Sequence, residues 1–116
     1  MQICAQDTWM DTPWREQTQY IGGDSRYMVR YSVYSFDTNI KLLHDYSILS
    51  GAFSQRFSDE GAIRGRHPTD YRLGINTSTY IPDYQIDWIL MLKEHFTYYK
   101  DYDLIRQVYP NLKLLL

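Results

Sequence analysis

The chain has 116 residues, enough for one domain, and its 44% hydrophobic and 22% charged content is that of an ordinary globular protein. Its 12 Lys and Arg residues against 14 Asp and Glu residues give a net charge of −2, so nucleic acid, which needs a basic face, is not expected as a partner. No apolar run approaches the roughly 18–20 residues that span a bilayer, and no membrane partner is expected.

The start of the chain and its single cysteine bear on the cellular compartment. Residues 1–10 contain neither a basic region nor a continuous apolar core, so they do not form a signal peptide. Cys4 excludes an internal disulfide and fits a reducing compartment. We therefore expect a cytoplasmic rather than a secreted protein.

The first distinctive stretch is residues 11–27, DTPWREQTQYIGGDSRY. Helix signals explain it structurally: Asp11 or Thr12 caps a short helix, Glu16 lies in its first turn, Gly22–Gly23 form a tight loop, and Asp24 caps the next helix. On the residues alone, this structural interpretation competes with a catalytic one.

The catalytic interpretation starts from glycoside cleavage. One carboxylic acid protonates the leaving oxygen, while a second carboxylate activates water or attacks carbon. Asp11, Glu16 and Asp24 provide the crowding that keeps one acid protonated, if they converge on one cavity. Trp9 and Trp14 would supply an apolar wall that stacks on a sugar ring.

Helical periodicity predicts two helices after this stretch. The first runs from Asp24 to about Phe36, and the second begins after a cap at Asp37 or Thr38. The predicted apolar face of the first helix is Tyr27, Tyr31 and Tyr34, widened by Met28 and Val33. That of the second is Leu42, Tyr46, Leu49 and Phe53, joined by Ile40 and Leu43.

A third helix is predicted from about Asp83 to Lys100, with His95 as a hydrogen-bonded core residue. A fourth begins near Asp101 or Asp103, pauses at Tyr109–Pro110, and resumes, because proline suits the first turn of a new helix. Residues 57–82 form a long loop of the functional kind, which contains His67 between arginines and prolines.

The predicted helices form two helical hairpins, 24–56 and 83–116, whose second helices open alike at a separation of about 64 residues, a weak repeat signal. Neither end of the chain carries helix start or stop signals, so we interpret it as a piece of a longer helical protein. Such a piece exposes apolar faces, predicted at Ile86, Ile89, Leu90 and Leu112 to Leu116, and self-association through them is expected.

The stretch DTPWREQTQYIGGDSRY resembles the acidic loop of bacterial α-L-rhamnosidases, glycoside hydrolase family 78. The resemblance continues through DEGAIRGRHPTD, YIPDYQIDWILML and KDYDLIRQVYPNLKLLL, and so covers essentially the whole chain. It implies an all-α fold, in which helical hairpins form part of an (α/α)6 toroid. The corresponding domain map is an acidic loop at 7–23, a hairpin at 24–56, a loop at 57–82 and a hairpin at 83–116.

The resemblance also implies roles for residues of the acidic loop. Glu16 matches the general acid, Asp11 and Asp24 match carboxylates that hold rhamnose hydroxyls, Arg15 lies beside the acid, and Trp14 occupies a variable position of the pocket. Gln17 departs from the family, because many members have a second acid there, and the glycine pair is one residue longer than in some.

The implied reaction is inverting hydrolysis of terminal α-L-rhamnosyl residues of glycosides or polysaccharides. The family's general base lies on a later helix that no segment here matches, so this chain alone is expected to be inactive. No cofactor is implied, and no metal is expected, since His44, His67 and His95 lack zinc-like spacing. The alternatives are another sugar specificity in the same barrel and a non-catalytic helical interaction module.

Overall fold

The structure, a computed structural model, describes residues 9, 19–35, 40–57, 61–65 and 81–116. Most of them belong to four helices: α1 (Gly23–Ser35), α2 (Lys41–Ser54), α3 (Pro82–Tyr99) and α4 (Tyr102–Leu115). A short 3₁₀ turn, Gln55–Phe57, extends α2. The described residues contain no β-strand, so the predicted all-α class is confirmed for them.

The junction between α3 and α4 follows the local sequence signals. Pro82 opens α3 at a position where its missing N–H has no helical partner to lose. Lys100 takes a left-handed conformation (φ 53°) and its amide donates to the Phe96 carbonyl at 2.9 Å, which ends α3. The Asp101 carboxylate accepts from the Leu104 amide at 3.0 Å and caps α4, which begins near Asp101 as predicted.

Helix α2 begins close to its predicted start after residues 37–39. The helix begins at Lys41 with Ile40 at the N-cap position, and no side chain caps it there. The predicted caps, Asp37 and Thr38, lie outside the described residues.

Helix α4 runs without a break through Pro110, so the predicted pause at Tyr109–Pro110 is wrong. A proline inside a helix removes a backbone donor and typically costs about 3 kcal/mol relative to alanine. Contacts across to α2 hold the helix on the far side of this defect. Asn111 Nδ2 donates to the Ala52 carbonyl at 3.0 Å and to Gln55 Oε1 at 2.7 Å, and Gln55 Nε2 donates back to the Asn111 carbonyl at 3.0 Å.

The first helices of the two hairpins, α1 and α3, are in contact and run parallel. Their contacts ascend together along both helices: Asp24 with Tyr84, Arg26 with Asp87, and Tyr34 with Tyr98. Both helices therefore begin at the same end of the molecule, where residues 19–22 and 61–65 also lie against each other through an Ile21 amide to Gly65 carbonyl hydrogen bond of 3.0 Å.

The second helices, α2 and α4, are parallel in the same way. Their contacts ascend from Lys41 with Asp101 to Gln55 with Asn111. Between α2 and α3 the order reverses, because Asp45 contacts His95 and Ile48 contacts Trp88. Two hairpins of the same orientation thus lie side by side.

The core is centred on Trp88, which is completely buried. Its indole N–H donates to the Ile48 carbonyl at 3.2 Å, so the one polar atom of the ring is satisfied. Gly51 makes this possible, since a methyl group added there would collide with the Trp88 indole. Around Trp88 the buried apolar residues are Trp9, Ile21, Val29, Ile48, Ala52, Ile63, Met91, Leu92, Leu104 and Val108.

The predicted apolar face of α1 is wrong for its three tyrosines and confirmed for Met28, which is partly buried and packs against the core. Tyr27, Tyr31 and Tyr34 are all exposed, and α1 instead buries Ser25, Val29 and Ser32 along with Gly23. Small side chains let α1 approach its neighbours closely, whereas the phenol hydroxyl favours a position with access to water.

The predicted face of α2 is confirmed in part, since Ile40, Leu43 and Leu49 are partly buried and pack against the core. Leu42, Tyr46 and Phe53 are exposed, while the buried positions are His44, Ser47, Ile48, Ser50, Gly51, Ala52 and Ser54. The serine hydroxyls are satisfied locally: Ser47 donates to the Leu43 carbonyl at 2.8 Å, and Ser54 donates to the Gly51 carbonyl at 2.6 Å. A serine bonded in this way packs as a small core residue, which a hydrophobic pattern does not reveal.

The faces that the sequence predicts to be exposed are exposed in part. Ile86, Leu114 and Leu116 are exposed large hydrophobic residues. Ile89, Leu112 and Leu115 are instead partly buried and pack against the core.

Candidate functional site

Of the predicted site residues, the structure describes Asp24 and Trp9. Trp9 is buried in the core rather than exposed as the wall of a sugar pocket, so its predicted role is wrong. Asp11, Trp14, Arg15 and Glu16 lie outside the described residues, as do Cys4 and His67. Asp24 is half-buried in the first turn of α1, and its Oδ2 accepts a hydrogen bond of 3.0 Å from the Tyr84 hydroxyl. The carboxylate therefore lies at the end of the molecule where α1 and α3 both begin.

The glycine pair creates the space for this contact. Gly22 has a φ of 86°, and a methyl group added there would collide with the Tyr84 backbone. A methyl group on Gly23 would collide with the Tyr84 ring. The predicted tight loop is confirmed at Gly22, whereas Gly23 is the first residue of α1, and this geometry brings the start of α3 against the start of α1.

The predicted cap role of Asp24 is corrected by the backbone hydrogen bonds. The Arg26 amide donates to the Gly22 carbonyl at 2.7 Å, so the helix starts earlier and Asp24 falls inside its first turn. An acid at that position interacts favourably with the exposed N–H groups and the helix dipole. The carboxylate is thus free to bind Tyr84 instead of capping the backbone.

Arg26, which follows Asp24 in α1, holds α1 against α3. Its Nη1 donates to Asp87 Oδ1 and its Nη2 to Glu94 Oε1, both at 2.8 Å, and all three side chains are largely buried. The hydrogen bond to Glu94, followed by that to Asp87, raises the pKa of Arg26 above its usual value against the opposing effect of burial. Arg26 also lies 5.6 Å from the centre of the Tyr27 ring. The orientation of Asp24 therefore rests on a rigid contact between the two helices.

A second polar cluster lies deep between the helices, around His44. The Ser32 hydroxyl donates to the Val29 carbonyl at 2.8 Å and is 2.6 Å from His44 Nε2, so it accepts the Nε2 proton. His44 Nδ1 then accepts from the Tyr99 hydroxyl at 3.0 Å. Burial, with a smaller effect of His95, lowers the pKa of His44 to about 4, and the ring is neutral at pH 7.

His95 completes the cluster and is buried as predicted. Its Nε2 lies 2.6 Å from Asp45 Oδ1, and Nδ1 has no hydrogen-bond partner among the described residues. Burial lowers the pKa of His95 more than Asp45 raises it. Asp45 Oδ2 in turn binds Lys41 at 2.6 Å, and Lys41 binds Asp101 at 2.6 Å.

This cluster is not arranged for nucleophilic catalysis. Ser32 is fully buried and its proton is directed to the Val29 carbonyl rather than to His44, so the hydroxyl is neither accessible nor activated. The cluster instead joins all four helices, since Ser32 belongs to α1, His44 to α2, His95 to α3 and Asp101 to α4. We interpret it as a structural junction.

Two further findings on the described residues concern metal binding and membrane crossing. Among the described residues, no group of three or more His, Cys, Asp or Glu side chains is placed to hold a metal ion. None of the described helices combines the length and apolar character needed to cross a membrane.

A groove of about 510 Å³ lies between α2 and α4. Tyr46, Leu49, Phe53, Arg56 and Gln107 are among its lining residues. It lies on the side of α2 and α4, away from Asp24, and does not contribute to the predicted sugar site.

No protein-family model matches the chain, and no curated protein or solved structure matches it. The sequence pattern did not indicate Tyr84, Arg26 or the His44–His95 cluster as site or junction residues. For Arg26 one signal existed: a basic residue on α1 and acids at Asp87 and Glu94, spaced by two turns on one face of α3, suit an ion pair between helices.

Proposed function

We propose that this chain supplies part of the catalytic domain of an inverting glycoside hydrolase that removes terminal α-L-rhamnosyl residues. Glu16 is the general acid, Asp11 and Asp24 hold sugar hydroxyls, Arg15 lies beside the acid, and Trp14 shapes the pocket. The observation that carries the proposal is the acidic stretch 11–24, whose last acid stands at the shared starting end of α1 and α3.

The arrangement of the helices supports the architecture that this proposal needs. In an (α/α)6 toroid, successive hairpins stand side by side in one orientation, so equivalent helices are parallel. Helices α1 and α3 meet this condition, as do α2 and α4. The toroid itself is part of the proposal.

Asp24 has the properties of a residue that positions a sugar. A carboxylate held by one phenol hydroxyl retains lone pairs that can accept hydrogen bonds from substrate hydroxyls. Its neighbours at this end are aromatic, since Tyr20 and Tyr84 meet edge to face with ring centres 6.3 Å apart. Aromatic faces beside a hydrogen-bonding carboxylate suit the mixed polar and apolar surface of a sugar.

The chemistry requires two carboxyl groups roughly 6.5–9.5 Å apart with a water between them. Glu16 protonates the glycosidic oxygen as the bond to the anomeric carbon breaks, and the base carboxylate takes a proton from the water that attacks the opposite face. No residue of this chain matches the base, so the proposal places it on a part of the enzyme outside these 116 residues.

The test is hydrolysis of an aryl α-L-rhamnoside by the complete natural gene product. Glu16→Gln is expected to lower kcat by about 10²–10⁴-fold, the usual contribution of a general acid, with little change in KM. Asp24→Asn is expected to raise KM. Asp103→Asn is the matched control, because that carboxylate is 93% exposed and remote from the site.

Unchanged turnover in Glu16→Gln would contradict the proposal. Activity on a different aryl glycoside, with Glu16 still essential, would keep the mechanism and replace the sugar. The second candidate function is a non-catalytic helical interaction module, favoured by the exposed tyrosines of α1, Tyr27, Tyr31 and Tyr34. It is preferred if no glycoside is turned over and Glu16→Gln changes nothing.

A further inference from the structure

The first helices of the two hairpins bury corresponding positions. Besides Gly23, helix α1 buries Ser25, Val29 and Ser32, and besides Met91, helix α3 buries Trp88, Leu92 and His95. The three residues of each set are spaced by four and then three positions. Each α1 residue therefore corresponds to an α3 residue at one fixed separation along the chain: Ser25 to Trp88, Val29 to Leu92, and Ser32 to His95. The two helices thus present corresponding faces to the layer formed by α2 and α4.

The same fixed separation identifies which residues would form the next interface of this kind. Inside the molecule, α3 docks on α1 through Glu94, which binds Arg26 at 2.8 Å. The residue of α3 that corresponds to Arg26 is Ile89, and the residue of α1 that corresponds to Glu94 is Tyr31. Tyr31 is 57% exposed and Ile89 is partly buried, and neither carries a charge.

The face of α1 around Tyr31 and the face of α3 around Ile89 therefore match each other. Within the chain, Arg26 of α1 faces Glu94 of α3. On the outer faces, the corresponding positions hold Ile89 on α3 and Tyr31 on α1. Tyr27, stacked on Tyr31 at 6.5 Å between ring centres, widens the aromatic face. Apolar surfaces of this kind mark interaction sites.

We propose that a second copy of this chain binds head to tail, with its α1 beside α3 of the first copy and its Tyr31 against Ile89. The two helices are parallel, as α1 and α3 are within one chain. In α3, the residues that correspond to Gly22 and Gly23 are Gln85 and Ile86, whose side chains prevent an equally close approach. The contact between the two copies therefore begins beyond the first turn of the helices. Such an interface joins unlike faces, so further copies can add to either end, as a closed ring or a filament.

The head-to-tail interface competes with the toroid of the proposed function, in which neighbouring hairpins of the same enzyme would cover these faces, so the test uses the 116-residue chain by itself. Sedimentation velocity over about 1–100 μM, where an interface of modest affinity becomes populated, should reveal association of the wild-type chain. Tyr31→Glu should weaken it about tenfold or more, because a carboxylate then faces Ile89 without a partner. Tyr46→Glu is the matched control, since Tyr46 is 53% exposed but lies on α2.

A rescue experiment tests the register. Tyr31→Glu combined with Ile89→Arg recreates the Arg26–Glu94 pair between copies and should restore association that each single change removes. Equimolar Tyr31→Glu and Ile89→Arg chains should also form mixed complexes, because the pairing of Ile89 of one with Tyr31 of the other is unchanged. Helical circular dichroism verifies that each variant folds.

Three results would overturn the proposal. A wild-type chain that stays monomeric over the whole range lacks the interface. Equal loss of association in the Tyr31 and Tyr46 variants indicates general adhesion of exposed tyrosines. Association that Tyr31→Glu leaves intact, in a variant that folds, assigns the contact to another face.

Discussion

At the scale of single residues, side chains that are absent or small decide how closely the helices meet. Gly22 and Gly23 admit Tyr84, and Gly51 admits the indole of Trp88. Ser25 and Ser32 fill the buried face of α1 where larger residues would push the helix away. The position of the Asp24 carboxylate therefore depends on glycine and small side chains that do not themselves contact a ligand.

Gly22→Ala should lower the free energy of unfolding by more than 2 kcal/mol, roughly the sum of left-handed backbone strain and a steric clash. Its φ is 86°, and the new methyl group would collide with the Tyr84 backbone. Gly61→Ala is the control: its φ is 73°, but the nearest atom to its methyl group, Cβ of Leu114, is at an ordinary 3.4 Å. Urea unfolding of both variants separates strain from collision, and equal losses would argue against the close approach of Tyr84.

The buried histidines make stability depend on pH. The folded pKa of His44 is about 4, below its usual 6.5, and that of His95 is also lowered. The unfolded chain therefore takes up protons first as pH falls, so stability is complete above about pH 6.5 and is lost toward pH 4. The expected loss from His44 is about 3 kcal/mol at 1.36 kcal/mol per pKa unit.

Urea unfolding between pH 7.5 and 4.5 measures this loss, and His44→Gln should flatten the profile. Asp101 acts at lower pH, since the hydrogen bond from Leu104 and then the one from Lys41 lower its pKa below 3.8 and its contribution is lost only as pH falls below that value. A profile that is as steep in His44→Gln as in the wild type would mean that other groups are responsible.

At the scale of helices, tertiary contacts override local preference at α4. The cap at Asp101 and the left-handed Lys100 are local signals that hold, whereas the proline signal does not. Asn111 and Gln55 hold the end of α4 against α2 through three hydrogen bonds. Pro110 is therefore tolerated inside α4, because these hydrogen bonds to the end of α2 hold the last turns of the helix in place.

Pro110→Ala should raise the stability of the chain by about 1–2 kcal/mol, less than the full cost of an interior proline because proline also restricts the unfolded chain. The exposed position of Pro110 leaves room for the change. Thermal unfolding should shift upward by several degrees. A decrease would mean that α4 needs a bend at this position to reach Ala52 and Gln55.

At the scale of the whole molecule, two hairpins of one orientation share a core around Trp88 and a polar junction around His44 and His95. Arg26 and Lys41 join the hairpins through ion pairs on either layer. The glycosidase proposal and the head-to-tail proposal both belong to this scale. The glycosidase proposal places its site at the end of the molecule where α1 and α3 begin. The head-to-tail proposal places its interface on the outer faces of α1 and α3.

The helical class, the tight geometry at Gly22 and the approximate starts of α3 near Asp83 and of α4 near Asp101 or Asp103 follow from the sequence alone, because each depends on backbone preferences within a few residues. The packing between helices determines which faces are buried, because Ser32 and His44 satisfy each other across helices while Tyr27 and Tyr31 remain in water. It also decided that α4 passes through Pro110 and that Asp24 binds Tyr84, since both follow from partners about 55 to 60 residues away in the chain, and loop-closing contacts of that range carry no local signal.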